Sequence, residues 1–187
     1  MSAQAATSVG PTTGASVTLF SCFAGMGAGL VELSIASSYI SSRGPLMWAG
    51  GIFAVWGLAL LAGSLASLQR GRLRFRKATT IGLITAVLVH VAVLVAGVAQ
   101  RLLDGGHLAA LFLVLMALGS SAWLARRYLD DAGGTAAAPP RTGALVGAAF
   151  AAAVVVAAVT TPGLAASVAG HYAVPHGEHS LPSGHNH

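Results

Sequence analysis

Five apolar stretches, at about 15–41, 46–68, 78–100, 107–125 and 143–161, decide most of what this chain can become. Each has close to, or more than, the ~20 residues that cross a hydrocarbon core of ~30 Å at ~1.5 Å per residue. With 55% hydrophobic and only 8% charged residues over 187 positions, the chain has too little polar surface to cover a soluble globule. The apolar content is mostly Ala, Leu, Val and Gly, and the small residues among these let transmembrane helices approach one another closely. The sequence therefore predicts an all-α integral membrane protein, a bundle of about five transmembrane helices. Residues 1–14, which carry no charged side chain, and a His-rich tail at 162–187 are expected to be disordered. The fifth stretch is the weakest, because Ala contributes little to insertion, and a four-span arrangement is the alternative.

The connections fix the order of the spans. "SSRGPL" separates the first two and "RLLDGGH" the third and fourth; each combines a charge with Gly or Pro, as tight turns between antiparallel helices do. Arg70, Arg72, Arg74, Arg76 and Lys77 lie between spans 2 and 3, and Arg126, Arg127 and Arg141 between spans 4 and 5. Only Arg43 and Arg101 fall in the alternate connections. Cytoplasmic loops are enriched in Lys and Arg, so eight against two predicts a plasma-membrane protein with a cytoplasmic N-terminus and an external C-terminus.

The same location argument disposes of the net charge of +5 as a nucleic-acid signal. In "RGRLRFRK" the arginines alternate with Gly71, Leu73 and Phe75, but next to a span they anchor to anionic head groups and set topology, so the lipid bilayer is the expected partner and no nucleic acid is. A single cysteine, Cys22, excludes an internal disulfide and every multi-cysteine metal motif. The run Leu19-Phe20-Ser21-Cys22 loosely resembles a lipoprotein cleavage box, yet the apolar segment continues about twenty residues past Cys22, which that mechanism does not allow. There is no P-loop, dinucleotide fingerprint or nucleophile elbow, and no enzyme is expected.

Two ionisable residues fall inside the spans, Glu32 and His90. Burying such groups costs a few kcal/mol on insertion scales, which makes them functional candidates. Gly29, Gly25 and Ala36 lie three, seven and four residues from Glu32, so a neighbouring helix can pack close on that face and shield the carboxyl. His90, in "AVLVHVAVLV", has only aliphatic neighbours in sequence. The pair could share a proton, bind a cation or form a relay. The structural alternative is a protonated Glu32 bonded to a serine and a neutral His90 bonded to another helix.

The tail "HYAVPHGEHSLPSGHNH" holds five of the seven histidines. His171, His176, Glu178, His179, His185 and His187 are candidate ligands for Cu or Zn, adaptable because Pro175 and Gly177 disfavour a helix. His107, at the start of span 4, falls on the tail's side and could join it. The leading functional expectation is a small non-enzymatic membrane protein that binds a transition-metal ion through this external tail. The alternative is an accessory or assembly subunit without a metal role, whose Gly-rich faces dock to partner membrane proteins or to further copies. A proton-coupled transporter is the third reading, and it needs an oligomer.

Overall fold

The computed structural model describes residues 11–71, 76–99, 105–130 and 142–166, and over them the protein is helical. The helices are α1 (Pro11–Ser41), α2 (Met47–Arg70), α3 (Arg76–Ala99), α4 (Gly105–Asp130) and α5 (Thr142–Ala165). Each apolar stretch forms one helix, and all five are long and apolar enough to cross a membrane. At both ends of the described chain the helices reach further than the apolar stretches suggest. Helix α1 starts at Pro11, a residue whose fixed φ and missing N–H suit a first turn. Helix α5 runs through Pro162 to its last turn, where the Ala166 N–H donates to the Pro162 carbonyl at 3.0 Å.

Two described turns follow backbone turn chemistry. Between α1 and α2 the left-handed position is taken by Arg43, with φ 47°, and not by the adjacent Gly44. Its N–H donates to the Ile40 carbonyl, while the Met47 N–H donates to Gly44. Helix α2 ends at Gly71, whose φ of 62° turns its N–H back onto the carbonyls of Leu68 and Ser67.

Helix α1 is the centre of the bundle, packing against α2, α4 and α5; α4 in turn packs against α5 and α3. Two stripes on α1 explain this. Residues 25, 29, 32 and 36 recur at helical spacing on one side, and 27 and 31 lie on the other. On the first side Gly29 meets Gly57 of α2 so closely that a Cβ on either would stand 2.8–2.9 Å from the other's carbonyl oxygen. Gly50 meets Ala36 in the same way, at 2.8 Å from its oxygen. On the second side Gly27 faces Val156 and Thr160 of α5, and Gly163 of α5 faces Ala109 and Val31. These glycines are therefore occupied inside the chain and are not open to a partner. Cys22 is buried at 1% exposure, enclosed by the bundle, where an acyl chain has no room.

Helices α2 and α3 make no close backbone approach to each other, although they follow one another in sequence. Each hangs on its own neighbour, α2 on α1 and α3 on α4, and side chains bridge the cleft between them. The perimeter is apolar: Val55, Leu88, Val95 and Phe150 are all largely exposed.

Candidate functional site

Glu32 and His90 each lie nine residues before the last residue of a helix, α1 and α3, so two helices finishing at the same end of the bundle carry them to one level. The structure brings them into contact. The Glu32 Oε1 and His90 Nε2 atoms are 2.9 Å apart, and both side chains are buried to within 1%. No serine bonds the carboxyl; its partner is the imidazole. Gly57 explains how α2 covers this spot, because a Cβ there would come within 3.1 Å of Glu32 Cβ.

The contact continues. His90 Nδ1 lies 3.0 Å from His107 Nδ1, and His107 Nε2 lies 3.4 Å from the Tyr39 hydroxyl. His107, near the start of α4, is 1% exposed and turned into the bundle. Seven residues along α1 separate Glu32 from Tyr39, so the series Glu32, His90, His107, Tyr39 spans about 10 Å along that helix, ending near its finish. Phe53 of α2 encloses it. Its ring stacks on His90 at 6.1 Å and on Tyr39 at 5.6 Å, and stands edge-on to His107 at 5.7 Å, keeping the imidazoles away from water.

Two proton arrangements satisfy all three contacts. With Glu32 ionised, His90 Nε2–H donates to the carboxylate, His107 Nδ1–H donates to His90 Nδ1, and the Tyr39 hydroxyl donates to His107 Nε2. With one more proton, the Glu32 hydroxyl donates to His90 Nε2, His90 Nδ1–H donates to His107 Nδ1, and His107 Nε2–H donates to the Tyr39 oxygen. The added proton reverses every bond in the series. The groups stand in line and do not converge: among the described residues no three His, Cys, Asp or Glu side chains gather around a common metal position.

Beside Glu32 a cavity of about 250 Å³ opens between α2 and α3. Glu32 Oε2, which the His90 contact leaves free, is buried without a hydrogen-bond partner.

No family model, curated protein or solved structure matches the chain. The chemistry of the site is read from its own geometry. Sequence reasoning singled out Glu32 and His90 but missed Tyr39 and Phe53. Both had a signal: Tyr39 extends the 25, 29, 32, 36 stripe by one step, and Phe53 lies between Gly50 and Gly57 on the α2 face turned to α1. The expected metal ligands His171, His176, Glu178, His179, His185 and His187 lie outside the described residues.

Proposed function

We propose that this is a small multi-pass membrane protein, without enzymatic activity, that takes up and releases a proton at Glu32 through His90, His107 and Tyr39. The observation that carries this reading is the unbroken hydrogen-bonded series from a buried carboxylate to the helix end at which α1 finishes. Intramembrane Glu and His chains of this kind are used as proton relays, and a series whose bonds all reverse on gaining one proton moves charge without moving the backbone. The apolar perimeter supports a lipid surrounding, since soluble monomers rarely expose contiguous apolar patches beyond a few hundred Å². The distribution of Lys and Arg favours the plasma membrane with the N-terminus cytoplasmic, which places Tyr39 toward the external face.

The test is ¹⁵N NMR of the imidazoles in the intact protein across pH. His90 and His107 are expected to exchange tautomers together at one midpoint, and Glu32→Gln is expected to move both sets of signals. Independent titration of the two rings, unaffected by Glu32→Gln, would remove the relay.

A second reading concerns the tail. Ala166 lies against Gly105, so the chain leaves α5 at the end of the bundle that also holds His107 and Tyr39. A tail that binds Cu or Zn there is the proposal, and calorimetry on the full-length protein tests it. Neutral imidazoles bind metal and protonated ones do not, so binding is expected at neutral pH and lost on acidification to about 5. Replacing His176 and His179 together should weaken it more than replacing His185 and His187, because Glu178 completes a compact site with the first pair. Equal heats from the protein and from a variant lacking all five tail histidines would end the metal reading.

A further inference from the structure

We infer that the cavity between α2 and α3 binds a lipophilic organic cation of about one-ring size, its ammonium group paired with the free oxygen of Glu32. The inference deepens the proton reading and rests on it, because cation and proton then compete for one carboxylate.

Glu32 offers two acceptor oxygens, and the protein uses one. Oε1 faces His90, whereas Oε2 is buried with no hydrogen-bond partner, on a residue that lines the cavity. An orphaned carboxylate oxygen is among the most costly groups to enclose, so a donor that reaches it gains more than an ordinary hydrogen bond. Among the described residues no lysine or arginine lines the cavity to supply a cationic donor from within. The walls favour a positive charge. Phe53 and Trp56 border the space, and aromatic faces attract cations most strongly where water is excluded.

Size and access point the same way. A volume of about 250 Å³ exceeds the roughly 150 Å³ of a cavity that takes benzene, leaving room for a ring with an aminomethyl group. The opening lies between two helices whose backbones do not approach each other, bordered by Ile52 and Val89 on the apolar perimeter. A ligand dissolved in lipid would enter sideways. Gly82 admits the indole of Trp56 across the cleft, since a Cβ there would stand 2.5 Å from the ring.

Binding requires the ionised carboxylate. A cation arriving at protonated Glu32 therefore displaces one proton, which leaves through His90 and His107 toward Tyr39. Release of the cation reverses the sequence. Proton and cation exchange at a single group, which is the elementary step of coupled transport or of cation sensing.

The experiment titrates the purified full-length protein in detergent with benzylammonium, and with benzyl alcohol as its neutral analogue, by calorimetry. Benzylammonium is expected to bind at least about tenfold more tightly than benzyl alcohol, and about tenfold or more weakly to Glu32→Gln than to the wild type. Gly82→Leu, which crowds the cavity without touching the carboxylate, should also abolish binding while the coupled imidazole signals persist. That variant separates the two readings: coupled histidines with no cation binding to the wild type overturn the cavity alone. Benzylammonium binding that depends on Glu32 but leaves the imidazole signals unmoved supports the cavity and overturns the relay. Equal affinity for wild type and Glu32→Gln, or for the alcohol and the ammonium, overturns the cation site.

Discussion

Replacing His90 with leucine is expected to destabilise the folded bundle by about 3 kcal/mol, the scale of leaving buried hydrogen-bonded groups without their partner. The loss has two sources. Glu32 Oε1 and His107 Nδ1 both lose the partner that His90 supplies, at 2.9 and 3.0 Å, and neither is near water. Changing Glu32 to leucine in the His90→Leu background should recover a large part of the loss, because the buried carboxyl that lost its partner is then gone. Thermal unfolding followed by circular dichroism measures the series. A double variant as unstable as the single one would show that packing around His90, and not its hydrogen bonds, holds α3 in place.

Gly57→Leu is the second large effect expected. A Cβ at Gly57 would stand 2.9 Å from the Gly29 carbonyl oxygen and 3.1 Å from both Glu32 Cβ and Leu33 Cγ, so backbone would have to move. Overpacking of this kind costs about 1–3 kcal/mol where the structure adapts, and more where two helix backbones already touch. Separating α1 from α2 also draws Phe53 away from the imidazoles, opening the polar series to water or lipid. The matched control is Gly63→Leu on the same helix, where a Cβ meets nothing within 4 Å. It should be neutral or mildly stabilising, since Gly in a helix interior is disfavoured by about 1 kcal/mol. Equal losses at positions 57 and 63 would mean that the close approach of α1 and α2 contributes nothing to the fold.

The helices were legible because length and hydropathy act on each segment alone, and even the Ala-rich fifth stretch forms its helix. The face that shields Glu32 was legible for a similar reason: Gly25, Gly29 and Ala36 share a stripe through helical geometry within one segment. What joins Glu32 to His90 was not. It depends on α1 and α3 standing at one level within side-chain reach, although their backbones stay apart, and no local pattern encodes that. His107 was misjudged because two glycines precede it at a helix start, a position that reads as boundary; its ring points inward to the Nδ1 of His90 on α3. Short-range periodicity thus yielded one residue of the series with its surroundings, and the rest required the packing of four helices.

The separation of Glu32 and His90 by 58 residues also gives the site a history. At about 5–20 residues per second of synthesis, roughly 3–12 s pass between the two. Glu32 is made first, before either the helix that covers it or the imidazole that pairs with it. Gly57 emerges next and covers it; the imidazole that can accept its proton comes later still. The wall around Glu32 that α2 supplies is therefore made before the partner that satisfies it.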